Sequence, residues 1–209
     1  MKLSRLFALC AAVVAGTAGA VQVNPVSYDM PNGSQGAYDY FDDTYNGAGC
    51  ITCASAALSG GLGQLTDGVI PTENWNIVEA PAGPGPYVGW SDFNPTITFH
   101  FGSSVAVDSV TFHFDDSGFG LVAAPASVTI GATTYNVIDP VGTDPFAFTV
   151  SGLGFVGSDL SVTINRTNSW SFLSEVTFQS PVPEASTGAM WAAGLGVLVG
   201  LARRRKRHA

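Results

Sequence analysis

The stretch that decides the fold is Thr96-Ile97-Thr98-Phe99-His100-Phe101, followed shortly by Asp108-Ser109-Val110-Thr111-Phe112-His113-Phe114. In an extended chain Ile97, Phe99 and Phe101 fall on one face and Thr98 and His100 on the other. In the second segment Val110, Phe112 and Phe114 oppose Ser109, Thr111 and His113. Strict alternation of this kind marks a strand with one buried face. Strand signals recur at residues 126–130, 134–138, 146–150, 160–164 and 173–178. Gly, Pro, Asp and Asn fill the gaps, as in Gly102-Ser103 and Asp139-Pro140-Val141-Gly142. Short strands with turn signals every roughly 8–12 residues, and no stretch of helical period in the body, predict an all-β sandwich. One buried face per strand needs a second sheet to cover it.

Upstream the signal weakens. Residues 21–43 are polar, with one early strand expected near 21–28. Residues 47–63 are rich in Gly, Ala and Ser, and 54–58 read as a single helical turn. No internal repeat stands out.

The two ends differ from the body. Lys2 and Arg5, an apolar run and Ala18-Gly19-Ala20 form a secretory signal peptide over residues 1–20. The expected domain spans 21–178, and residues 179–187 make a linker. Residues 188–202 carry no charge, and 203–209 hold five cations. Fifteen residues of helix cover roughly 22 Å, a short single transmembrane helix whose arginines snorkel at the far end. The cations stay on the cytoplasmic side, so the body lies outside.

Val182-Pro183-Glu184-Ala185, then the apolar run, then the basic end, resembles the PEP-CTERM sorting signal of Gram-negative bacteria. Ala185 stands where that family usually has a second proline. The resemblance implies an exosortase as partner, cutting near Pro183-Glu184. The inner membrane would be a transient anchor, and the envelope or extracellular matrix the destination.

Charge is divided just as sharply. Seven of the eight Lys and Arg lie in the two ends, whereas all sixteen Asp and Glu lie between Asp29 and Glu184. With Arg166 its one Lys or Arg, the region 21–187 carries a net charge of −15. Such a surface repels nucleic acid and anionic membranes and suits calcium or neutral and cationic polymers. Cys50 and Cys53 remain after the leader is removed, and outside the cytoplasm a local disulfide is expected. No βαβ pattern follows them to support redox catalysis, and no further soft ligands match them for a metal.

A second resemblance covers about 65–178. It rests on Leu65-Thr66-Asp67-Gly68 followed by Trp75, then Pro95 to Gly102, Val107 to His113, Ala124 to Ile130 and Ser174-Glu175-Val176-Thr177-Phe178. This order resembles the discoidin, or F5/8 type C, galactose-binding-like jelly roll, a family that includes many carbohydrate-binding modules. The resemblance implies a calcium held by Asp67 and Glu175, whose hard oxygens suit that ion. It also implies ligand binding by loops at one end of the sandwich. Sugar recognition needs an aromatic face and a few polar groups. Candidate aromatics are Trp75, Tyr87 and Trp90; candidate polar groups are His113, Asp115, Asp116 and Arg166. Trp170, just before the last strand, reads as packed.

Enzyme chemistry finds little support: there is no Gly-x-Ser-x-Gly elbow and no Ser-His-Asp order in a recognisable setting. Asp115-Asp116 reads as turn chemistry. The expectation is an exported, non-enzymatic protein that binds or organises exopolysaccharide. A matrix scaffold without sugar binding is the alternative, and a polysaccharide hydrolase a more distant one.

Overall fold

The computed structural model describes residues 19–79 and 85–182. Apart from Gly19, Ala20 and Val182, the signal peptide, the sorting motif, the apolar run and the basic end lie outside the described residues. Val21–Pro181 forms one compact unit.

Eight strands make that unit: β1 (Ser27–Pro31), β2 (Ala57–Gly61), β3 (Val88–Ser91), β4 (Thr96–Phe114), β5 (Ser127–Ile130), β6 (Thr133–Asn136), β7 (Phe146–Asn165) and β8 (Trp170–Gln179). A 3-10 turn (Gln64–Thr66) and one helical turn, α1 (Trp75–Val78), lie between β2 and β3. All strand pairs are antiparallel, in the order β2-β1-β4-β7-β5-β6, and β8 pairs with both β4 and β3.

The two segments that announce the fold are the arms of a single strand of 19 residues. Gly102 was expected to end a strand; instead the chain turns a corner there and stays in the ladder. Gly102 takes φ +71°, and the partner strand β7 has Gly152 at +73° and Gly154 at +57°, conformations that side chains resist. The β4–β7 register shifts between His100 and Val105 and again between Val107 and Ser109. An irregularity of this type bends a strand and re-aims its faces. It explains why the buried residues are Ile97, Phe99 and Phe101 before the corner but Val110, Phe112 and Phe114 after it. The predicted strands 146–150 and 160–164 likewise join into β7, a strand of 20 residues.

The first arm of β4 pairs with β1, and the second with β8. The arms therefore belong to the two layers of a sandwich. Across the interior Phe178 of β8 meets Phe99 at 4.9 Å and Phe101 at 5.2 Å, ring centre to ring centre. Tyr28, Trp90, Phe112 and Leu173 fill the same core. Each fully buried aromatic or aliphatic side chain contributes about 1.5–3 kcal/mol of apolar transfer free energy.

Two elements differ from expectation. Residues 57–61 form β2, although 54–58 had read as a helical turn. Pairing with β1 at Tyr28, Met30 and Pro31 outweighs the local propensity of small residues. The early strand begins only at Ser27, and before it Gln22 makes an isolated bridge to Gln179. Cys50 and Cys53 are joined in a disulfide within the loop between β1 and β2. Buried Asn32 gathers that loop, its amide donating to the carbonyls of Cys50, Ile51 and Cys53.

Candidate functional site

Aromatic side chains from four places meet in one cluster. Tyr38 and Tyr40 come from the segment after β1, Trp75 from α1, Phe119 from the loop between β4 and β5, and Trp170 and Phe172 from β8. Tyr40 lies edge-on to Phe172 at 4.7 Å, to Trp170 at 5.1 Å and to Trp75 at 5.5 Å. Trp75 is stacked on Phe172 at 5.6 Å and on Phe119 at 5.9 Å. These separations are those of favourable aromatic pairs. The cluster is not closed. A cleft of about 260 Å³ opens between Gly36, Tyr40, Trp75, Phe119, Trp170 and Phe172. That is just below the roughly 300–1,000 Å³ typical of small-molecule pockets. Phe119 is 61 % exposed and Leu121 57 %, so the loop presents two apolar side chains to solvent beside the opening.

The loop that carries Phe119 is held from beneath. Asp115 is fully buried; one carboxylate oxygen accepts the Trp75 N–H at 2.7 Å and the other the Ser117 N–H at 2.9 Å. The neighbouring Asp116 accepts the Ala124 N–H at 2.9 Å, closing the loop at its far end. The Trp75 indole N–H donates to the Ser117 hydroxyl at 3.0 Å, fixing the ring. The Trp170 N–H donates to the Leu121 carbonyl at 3.1 Å, tying the loop to β8. Gly120 is at φ +64°, and a Cβ there would come within 2.9 Å of the Trp75 ring. Only glycine lets the loop lie that close.

Acids surround this aromatic cluster. Glu79 follows α1, is buried, and accepts the Tyr87 N–H at 3.1 Å. Burial, with Asp43 and Asp115 nearby, pushes its pKa up to about 7. Burial and the adjoining Asp139 push Asp116 up to about 6. Burial and the charge of Glu79 raise the Tyr40 hydroxyl to about 12, so it is a neutral donor at any physiological pH.

The sequence-predicted ligand residues separate into three groups. Trp75 lines the cleft, and Asp115 orients Trp75 without reaching the opening. Tyr87 and Trp90 are removed from the surface. Tyr87 is 1 % exposed and donates its hydroxyl to the Glu73 carbonyl; it backs the cleft through Phe172. Trp90 is fully buried, with its indole N–H on the Pro31 carbonyl, because residues 88–91 form a strand paired to β8 and not a loop. His113 stands on β4 beside Glu175 and Ala147, away from the cleft lining, and burial lowers its pKa. Arg166 donates to the Asn168 and Ser169 carbonyls of its own turn. Tyr40, Phe119 and Phe172 escaped the sequence reading, and Trp170, read as packed, lines the opening. For Phe119 a signal was present: a large aromatic between two glycines, Gly118-Phe119-Gly120, directly after the polar turn Asp115-Asp116-Ser117.

Asp67 and Glu175 lie together in a second depression with Thr66, Gly68 and Asn24. Glu175 is 3 % exposed, accepts the Gly68 N–H at 2.9 Å, and is pushed up to about 7 by burial. One Asp67 oxygen accepts the Val69 N–H at 2.8 Å. Neither carboxylate has a cationic partner among the described residues, and these two side chains are the ones that would hold a calcium ion here, with carbonyls completing its oxygen shell. Among the described residues no three Asp, Glu, His or Cys side chains gather as a metal cluster.

Residues 181–206 match the PEP-CTERM protein-sorting motif, and residues 25–122 match the DS-like domain of discoidin domain-containing receptor 1/2. The first match covers the sorting stretch and the second the strands and loops from β1 through the Phe119 loop. No curated protein matches the chain in sequence. Among solved structures, the chain is similar to a truncated AlyQ with CBM32 and alginate lyase domains, at 14 % identity and a TM-score of 0.43. That match covers 79 % of this chain and 34 % of the other, so the chain spans about a third of that protein. The CBM32 of AlyQ in complex with 4,5-unsaturated mannuronic acid matches at 14 % identity and TM-score 0.41, over 76 % of this chain and 97 % of that one. The family 32 module of Clostridium perfringens NanJ in complex with galactose matches at 14 % and 0.32, over 56 % and 89 %.

Proposed function

From a chain whose all-β discoidin-like body is followed by a PEP-CTERM sorting motif, we propose an exported, non-catalytic glycan-binding protein. The motif marks an exported protein with a C-terminal membrane-anchoring signal and implies processing by an exosortase. The body is delivered to the envelope or extracellular matrix, where it binds or organises exopolysaccharide. The observation that carries the binding role is the open aromatic cleft, with Phe119 exposed over Trp75 and Tyr40 and Trp170 as further walls. Ring faces of this kind cover the C–H face of a sugar, while the Tyr40 hydroxyl and the loop carbonyls meet its hydroxyls.

The test is glycan binding by the full chain and by Phe119→Ala. The wild type should retain a matrix polysaccharide, and the variant should bind at least about tenfold more weakly at unchanged fold, the loss of one aromatic contact. Equal retention by both proteins would remove the cleft from the account. Self-association without any glycan binding would favour a scaffold instead.

We also propose that Asp67 and Glu175 hold calcium. The ion would neutralise buried Glu175 and exposed Asp67 and pin the Asp67–Gly68 turn to β8. Adding calcium after chelation should raise the melting temperature of the wild type and leave Glu175→Gln unmoved. An equal rise in both would place the ion elsewhere.

A further inference from the structure

The cleft has a charge character that its apolar lining conceals. Between Val21 and Pro181 stand fifteen Asp and Glu and a single Lys or Arg, Arg166. The guanidinium of Arg166 is turned onto the carbonyls of Asn168 and Ser169. The ion pairs among the described residues are those of His100 with Asp29 and Asp159, on β4, β1 and β7. No carboxylate around the cleft has a cationic partner among the described residues.

Those carboxylates lie on three of the elements that build the site: the turn 35–39, the end of α1 and the Phe119 loop. Asp39 is exposed on the turn 35–39, closed by the Gln35–Asp39 bridge, and Gly36 and Ala37 of that turn wall the cleft. Glu79 ends α1 behind Trp75 and acts on Tyr40. Asp115 holds the Trp75 backbone, and Asp116 closes the Phe119 loop against Asp139. The buried acids add to the negative field at the opening as pH rises through about 6 for Asp116 and about 7 for Glu79, because low-dielectric walls focus charge of one sign into a cleft. The aromatic lining acts in the same direction. The faces of exposed Phe119 and half-buried Trp170 are the negative poles of their ring quadrupoles and attract an ammonium held over them. A uronate or sulfated sugar would meet only repulsion here, and a neutral sugar would gain the stacking alone.

Resting on the glycan reading of this cleft, we propose that its ligand is an amino-sugar polymer whose free amines are positively charged. The aromatic walls stack on the pyranose ring. Asp39 at the rim, with the acids behind the loops, selects the ammonium form over its N-acetylated counterpart.

The experiment compares the full chain, in a detergent with an uncharged headgroup, on three polymers kept short enough to dissolve. These are a short β-1,4-linked glucosamine polymer, the same short backbone fully N-acetylated, and a short polyuronate. The glucosamine polymer should bind about tenfold more tightly than its acetylated form, and the polyuronate should not bind. The preference should collapse near 1 M salt, where the screening length is about 3 Å. Asp39→Asn should reduce the preference severalfold without changing affinity for the acetylated polymer. Because any acidic protein attracts a polycation, Phe119→Ala is the decisive control. It should lose the glucosamine polymer about tenfold, as stacking at the cleft requires. If Phe119→Ala binds that polymer as well as the wild type, charge alone is responsible and the proposal falls. Equal affinity for the amino and acetylated polymers, abolished by Phe119→Ala, would overturn the charge selection and leave the glycan reading standing. Failure to bind any of the three, or any other glycan, would overturn both.

Discussion

Two aromatic clusters stand in this body, built from the same residue types at similar spacing, and only one of them is closed. The larger one takes Tyr28, Trp90, Phe99, Phe101, Phe112, Phe114 and Phe178 from strands, with Leu65 packed among them. The smaller one takes Tyr40, Trp75, Tyr87 and Phe172, with Tyr38 and Trp170 partly buried at its margin. Their ring separations overlap, 4.9 Å for Phe99 and Phe178 against 4.7 Å for Tyr40 and Phe172. The difference lies in what forms the last wall. In the larger cluster it is a second sheet layer, which admits nothing. In the smaller cluster it is the Phe119 loop, which leaves a cleft. Aromatic packing therefore does not by itself distinguish a core from a site; the element that carries the outermost ring does.

The largest test of that distinction truncates one ring in each cluster. Phe112 is fully buried between the sheets, and Phe112→Ala should cost about 3–5 kcal/mol through lost transfer energy and the cavity left behind. Phe119 is mostly exposed, and Phe119→Ala should cost no more than about 0.5 kcal/mol. Chemical denaturation measures both. A Phe119→Ala loss approaching that of Phe112→Ala would make the smaller cluster a core and the cleft an accident of packing.

The clusters also differ in how much of each could be read from sequence. The larger one is written in two-residue alternation, so Ile97, Phe99, Phe101, Val110, Phe112 and Phe114 were legible at once. What alternation could not show was that two strands are one. Gly102 looks the same whether it ends a strand or turns a corner within one, and the answer depends on Gly152 and Gly154 some fifty residues away. The smaller cluster follows no period. Its members come from four segments, and their meeting depends on Asp115 holding Trp75 and on Trp170 holding Leu121. Trp90 shows the opposite error. Its short strand, Val88–Ser91, follows the Gly- and Pro-rich segment after α1, so a core tryptophan read as a loop residue. Asp67 and Glu175 were recoverable from family resemblance, although nothing in local spacing relates positions so far apart.

A second, intermediate effect distinguishes the clusters by pH. Glu79 lies behind the open cluster, with its pKa raised from 4.5 to about 7, and Asp116 beneath its loop is raised from 3.8 to about 6. Each group binds its proton more tightly in the folded chain than in the unfolded one. The stability this contributes is complete below the unfolded values and is lost as pH rises through about 6 and about 7. In chelator, the melting temperature should therefore fall between pH 5 and pH 8. Glu79→Gln should flatten the upper part of that fall, and differencing it against wild type cancels the opposite shifts of His100 and His113. An unchanged slope in Glu79→Gln would show that Glu79 is solvated and that the acids around the cleft do not share one field.

The smallest expected effect belongs to a face that joins neither cluster. On the outer side of the sheets, hydroxyls pair across strands: Thr96 with Thr163 at 2.8 Å, Thr98 with Ser161 at 2.9 Å, and Thr111 with Thr149 at 2.8 Å. These bonds are exposed, so water replaces either partner at little cost. The β-branch is what a strand position needs, and valine keeps it. Thr98→Val should therefore change stability by no more than about 0.5 kcal/mol, within the range of a single cross-strand pair. A loss above about 1 kcal/mol would mean that the hydroxyl row holds β4 and β7 in register at the corner. The sandwich would then depend on its polar exterior as well as on the closed cluster, and the contrast with the cleft would have to be drawn between three regions of the molecule.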